Sequence, residues 1–168
     1  MRVGFSSSNA IPSKIIRWFT RSKASHSYIR FEVEGEPILI EANAHGVVCE
    51  HYESFKKHNA IVAEFELNIT QEQEHAIVAY ALKQLLRPYD FPGLLGFGWV
   101  LLNKMIGRKV KQPFVEKSAY FCSELVIAAL QSANFPLSHF LDRHITSPED
   151  IIEFLDSSFL AKRTYIFN

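Results

Sequence analysis

Cys122 stands in the run Ala-Tyr-Phe-Cys-Ser-Glu-Leu, and the apolar residues after it, Leu125, Val126, Ala129 and Leu130, recur at helical spacing. The pattern predicts a helix over 118–134 with the cysteine in its first turn. A thiolate there faces unpaired backbone N–H groups and the positive end of the helix dipole. Both favour the ionised form and lower the thiol pKa, and the same N–H groups are placed to receive a developing oxyanion. This is the chemistry of a nucleophile. Cysteine is equally a small hydrophobe that cores bury and leave inert, so helix position alone does not choose.

A nucleophilic thiol needs a base. Of the seven histidines, His26 has the context to serve, because it opens the alternating run Ser-Tyr-Ile-Arg-Phe-Glu-Val directly after a polar loop. Strand starts are rigid, and a base must be held rigidly. The run Pro-Ile-Leu-Ile-Glu-Ala, residues 37–42, is the expected partner strand, joined through Glu34-Gly35-Glu36 as a tight hairpin. Counting outward from that turn sets Ile29 opposite Glu41, which brings Glu41 within a few residues of His26. A carboxylate there would orient the imidazole and stabilise its charge; the bland reading is a solvated strand end. Cys49, in Val-Val-Cys-Glu-His-Tyr, is read as structural. No CxxC or HxxxH pair exists, so no metal site and no cofactor are expected.

The elements that must position these groups follow from periodicity. Residues 12–21 suit a short amphipathic helix. Strands are expected at 27–33, 37–42, 46–50 and 61–67, the last with Ile61, Ala63, Phe65 and Leu67 on one face. Thr70 with Gln73 is a capping-box pair that starts a helix running to Arg87, where Pro88 stops it. Residues 91–106 read as a second helix with Gly107 as its C-cap. Ser147, Pro148, Glu149 and Asp150 announce a last helix, and 159–167 suits a closing strand. Contiguous strands flanked by helices predict one α+β domain over 1–168, with a mainly antiparallel sheet.

Bulk numbers set limits. The 168 residues are 48% hydrophobic, enough for one core. Eighteen basic and eighteen acidic residues give zero formal charge, which argues against a nucleic-acid partner. The basic groups Arg108, Lys109, Lys111 and Arg17, Arg21, Lys23 read as solvated surface. The N-terminus shows no apolar signal region, so a cytoplasmic location is expected. Residues 91–102 are apolar but too short to span a bilayer. They read as a buried helix, with membrane or acyl-chain contact as the alternative.

These residues together resemble the circularly permuted papain-like amidases, the permuted branch of the NlpC-type cysteine peptidases. The likeness rests on Ser25-His26 with Ile29, on Glu41-Ala42, on Tyr89-Asp90, and on Tyr120-Phe121-Cys122-Ser123-Glu124-Leu125-Val126. Where that family has a small residue two places after the histidine, this chain has Tyr28. The resemblance implies a permuted papain-like fold whose antiparallel sheet packs on the cysteine helix. It implies Cys122 as nucleophile, His26 as base and Glu41 as the group that fixes the imidazole, with Tyr28, Tyr89, Asp90, Tyr120 and Ser123 bordering the substrate. The implied reaction is hydrolysis of an amide, in a small peptide or γ-linked and cell-wall-related. Thioester hydrolysis and lipid acyl transfer or hydrolysis are alternatives on the same fold, since the related lecithin retinol acyltransferase group also places His before Cys. A non-catalytic binding protein is a further alternative.

Overall fold

The computed structural model describes residues 1–8, 17, 22–114, 119–136 and 138–166. In chain order the elements are β1 (Arg2–Ser7), β2 (His26–Val33), β3 (Glu36–Asn43), β4 (Gly46–His51), a short α1 (Tyr52–Lys56), β5 (Ala60–Leu67), α2 (Gln71–Lys83), α3 (Phe91–Met105), α4 (Cys122–Ser132), a 3-10 turn (Ser138–Phe140), α5 (Pro148–Asp156) and β6 (Ala161–Ile166). The strands form one six-stranded sheet in the order β4-β3-β2-β1-β5-β6, with every neighbour antiparallel. The α+β expectation is met. The helix expected over 12–21 lies outside the described residues apart from Arg17.

The β2–β3 turn is tighter than the sequence suggested. Val33 pairs with Glu36, so the loop is the two residues Glu34 and Gly35, and both have positive φ, 53° and 85°. That conformation matches the twist of the flanking strands. It moves the register by one: Tyr28, not Ile29, faces Glu41. β1 was not anticipated. It lies between β2 and β5, and its serines hide the alternation by which strands are usually read.

The main core lies between the sheet and α2, α4 and α5, built on Val3, Phe5, Ile29, Ile40, Phe65 and the wholly apolar body of α4. A second cluster of Tyr28, Leu39, Tyr52, Phe55 and Ile61 packs separately. Ile61 belongs to this second cluster, not with Ala63, Phe65 and Leu67, because the β1–β5 register shifts between the pairs Phe5–Ala63 and Ser6–Ile61. A one-residue shift moves a side chain to the other face.

The helix starts follow the expected capping chemistry. Thr70 with Gln73 and Ser147 with Asp150 both form capping boxes. Gly107, at φ 75°, follows the C-cap of α3. α2 ends at Lys83 and not at Arg87, because the chain turns to bond with β4: Leu86 N–H donates to Val47 O, and Val47 N–H to Arg87 O.

Gly4 sits beneath the Tyr28 ring, and a Cβ there would lie 2.1 Å from the ring carbon Cζ. Tyr28 is fully buried and its hydroxyl donates to Glu64 at 2.9 Å, so the ring has nowhere to move. Gly4→Ala is expected to destabilise the protein by about 2 kcal/mol or more through overpacking, read as a lowered urea midpoint with unchanged slope.

Candidate active site

Cys122 is the first residue of α4, one turn later than the expected helix start. The preceding residues are extended: Tyr120 bridges Tyr89 in parallel, Tyr120 N–H donates to Pro88 O, and Asp90 N–H donates to Tyr120 O. The N-cap Phe121 makes no side-chain cap to α4, so its side chain takes none of the N–H groups of the first turn. The thiol is 3% exposed.

His26 opens β2 as expected, and its ring lies between the two partners chosen from the sequence. Nε2–H donates to Glu41 Oε2 at 2.5 Å, and the ring and the Cys122 thiol stabilise each other's charged forms. With Nε2 committed to the carboxylate, Nδ1 is the ring nitrogen left for the sulfur. Burial opposes the imidazolium charge, but the bonds to Cys122 and Glu41 outweigh it and raise the His26 pKa to about 10. Burial likewise opposes the thiolate, yet the net shift of Cys122 is downward. His26 stabilises the anion by hydrogen bond and by charge, and the backbone N–H groups of Ser27 and Ser123 add to it. Glu41 is held below the usual carboxylate range against its burial, by His26 first and then by Asn43.

Asn43 is a site residue that the sequence reading missed. Its Nδ2 donates to Glu41 Oε1, which ties down the oxygen that His26 does not use. The spacing Glu-Ala-Asn, two residues apart on a strand and so on one face, was the available signal.

Of the five residues expected to border a substrate, Tyr89 is the one that is not fully buried. It is half-buried, and burial and then the negative charges of Cys122, Asp90 and Glu41 push its hydroxyl well above the usual phenol range. The other four are buried, as Cys122 itself is. Tyr28 lies wholly within the second cluster and supports the sheet. Asp90 is the buried N-cap of α3, accepting from Gly93 N–H at 2.7 Å. Tyr120 is buried with its hydroxyl 2.8 Å from that of Tyr80. Ser123 is buried on α4. Tyr28, Asp90 and Tyr120 thus bond within the protein, while Ser123 aims its backbone N–H at the sulfur. Cys49 is exposed on the edge strand β4, and its pKa is raised by partial burial and by Glu50, which makes it a poor nucleophile.

Two residues beyond the thiol, on the opposite side of the helix, lies a buried acid. Glu124 Oε1 is 2.8 Å from His144 Nδ1 and 3.7 Å from Arg143 Nε. Burial raises Glu124 to about 8, with Arg143 opposing and Asp90 adding, while burial and Arg143 lower His144. Near neutral pH both groups are therefore uncharged: the imidazole accepts from Arg143 Nε–H at Nε2, 3.3 Å away, and donates Nδ1–H to Glu124 Oε1.

No protein-family model matches the sequence, and no curated protein matches it at a significant level. A solved structure with a similar fold is that of the metalloprotein yiiX from Escherichia coli O157:H7 (DUF1105), at 18% identity and TM-score 0.58, with 99% of this chain and 96% of that one covered. At that identity the likeness speaks for the fold. Among the described residues, no three His, Cys, Asp or Glu side chains come together as a metal site.

Because the folded pKa of Glu124 lies above its ordinary value, its contribution to stability is full below about 4.5 and is lost as pH rises through about 8. Over that range the stability of the wild type relative to Glu124→Gln should fall by more than about 1.4 kcal/mol, the worth of one pKa unit. Urea titrations at several pH values, on both proteins, measure it.

Proposed function

We propose that the protein is a cysteine hydrolase of the circularly permuted papain-like, NlpC-type class, cleaving an amide bond in a small peptide or γ-linked substrate. The observation that carries this reading is the juxtaposition of Cys122, His26 and Glu41, with His26 bonded to Glu41 and electrostatically coupled to the thiol, and the sulfur at a helix start without a side-chain cap. The motif order His, Glu, Cys along the chain and the antiparallel sheet against the cysteine helix support it.

In this mechanism the resting pair is thiolate and imidazolium. The Cys122 sulfur attacks the acyl carbon, and the carbonyl oxygen gains charge facing the free N–H groups of the first turn of α4. His26 Nδ1 passes its proton to the leaving amine. Water, deprotonated by His26, then releases the acid and restores the thiolate–imidazolium pair. Glu41 holds Nε2–H throughout, and Asn43 holds Glu41. Tyr89 borders the acyl group.

A second reading is acyl transfer or hydrolysis at an ester or thioester. The exposed apolar face of α3 beside the site favours it, because an acyl chain could lie along that face. The thiol chemistry is common to both, so substrate screening decides between them: turnover of peptide amides supports the first reading, and turnover of acyl esters or phospholipids alone supports the second.

In a Cys49→Ser background, the iodoacetamide rate of Cys122 should follow an apparent pKa below the ordinary thiol value of about 8.5; an ordinary profile sinks the activated-nucleophile reading. Activity should rise as the thiolate forms and fall near pH 10, where His26 loses its proton. Glu41→Gln removes a group that raises the His26 pKa, so it should pull the alkaline limb to lower pH and reduce kcat by about 10²–10⁴. Cys122→Ala should leave no turnover.

A further inference from the structure

Helix α3 presents two different faces. Its inner face carries Phe97, which stacks on Phe121 with ring centroids 5.8 Å apart, and Gly93, whose carbonyl accepts from Gln112 Nε2 at 2.8 Å. Its outer face carries Phe91, Leu95, Trp99 and Leu102, continued by Ile106, at intervals of four, four, three and four residues. All five are exposed, Leu95 by 72% and Trp99 by 53%. A continuous stripe of large apolar side chains on a helix is the kind of patch that soluble surfaces keep small unless something covers it.

Charge indicates what covers it. From Phe91 to Phe114 the chain has no acidic residue, and its four charges are all positive: Lys104, Arg108, Lys109 and Lys111. All four are exposed, and none pairs with a described carboxylate. A second copy of this chain on the stripe would bring cations against cations, with no carboxylate from the segment to meet them. An anionic lipid surface meets both features: the stripe enters the acyl boundary, Trp99 lies at headgroup depth, and the cations bind phosphates. At fifteen residues the helix is about 22 Å long, too short to cross a bilayer, and no described helix is long and apolar enough to do so.

We propose that α3 docks in the plane of an anionic phospholipid bilayer through Phe91, Leu95, Trp99, Leu102 and Ile106, with Lys104, Arg108, Lys109 and Lys111 on the headgroups. Because Phe97 stacks on the residue that precedes Cys122, docking holds the thiol site beside the lipid surface. This inference stands on the stripe and the charges, and does not depend on the catalytic reading.

Flotation of the full chain with vesicles tests it, using phosphatidylcholine alone and phosphatidylcholine mixed with phosphatidylglycerol. Binding is expected to the mixed vesicles, weakened by salt, with a blue shift of Trp99 emission in a Trp18→Phe background. Leu95→Glu and Trp99→Glu should each lower the partition coefficient at least tenfold. Lys109→Gln and Lys111→Gln should each lower it about fivefold. Circular dichroism confirms that the exposed-face variants are folded. Absence of flotation at low salt by folded wild type overturns the proposal, as does unchanged flotation of folded Trp99→Glu. So does a dimer, seen by sedimentation without lipid, that Trp99→Glu dissociates while vesicles capture neither form.

Discussion

The two-residue turn at Glu34-Gly35 sets the parity of the β2–β3 hairpin, and the thiol site depends on that parity. Because side chains alternate along a strand, a hairpin register determines which residues of its two strands share a face. With Val33 paired to Glu36, Tyr28 faces Glu41, and His26, two residues before Tyr28, falls on the face of Glu41. A three-residue loop would slip the pairing by one and put His26 and Glu41 on opposite faces. The positive φ of both turn residues is what the shorter loop demands. Gly35 meets the demand without strain, and Glu34 accepts a left-handed conformation that an ordinary residue adopts at some cost.

The parity matters because the groups it unites are costly to bury apart. A desolvated thiolate or imidazolium is unfavourable alone, and removing one partner of a buried pair leaves the other uncompensated. The shifts of Cys122 and His26 show this competition: burial opposes both charges, and each is restored by the other. The backbone contributes as well. Ser27 on β2 and Ser123 on α4 both aim N–H groups at the sulfur, so sheet and helix converge on one atom. The extended segment at Tyr120, bonded to Pro88 and Asp90, stops α4 from starting earlier and makes Cys122 its first residue.

Much of this was legible in the sequence, for identifiable reasons. The cysteine, histidine and glutamate lie in elements with strong periodic signals, and the capping residues Thr70 and Ser147 act through local chemistry that three or four residues encode. What was not legible depends on distant pairing. β1 is flanked by strands on both sides and carries serines, so alternation does not reveal it. The faces of Ile61 and Tyr28 are set by register against β1. Tyr28 was expected at the cleft, yet Gly4 on the neighbouring strand opens the space beneath its ring, and a glycine in one strand does not announce which tyrosine it admits. Burial of Asp90, Tyr120 and Ser123 is likewise a property of packing.

Glu124 was also unread, because a glutamate in the first turn of a helix is ordinarily a favourable surface charge. Here that role would work against the site. An ionised carboxylate two residues from Cys122 on the same helix would offset the positive end of the dipole and repel the thiolate. Burial beside His144 and Arg143 resolves the conflict, since it keeps the carboxyl protonated up to about pH 8. Lowering the pKa of His144 by burial completes the arrangement: the neutral imidazole accepts from Arg143 at Nε2 and donates Nδ1–H to Glu124. The helix start thus retains a polar side chain that can anchor α4 to the 142–144 loop while leaving its electrostatic field to the sulfur. The raised pKa of Glu124 and the lowered pKa of Cys122 both belong to the first turn of the same helix.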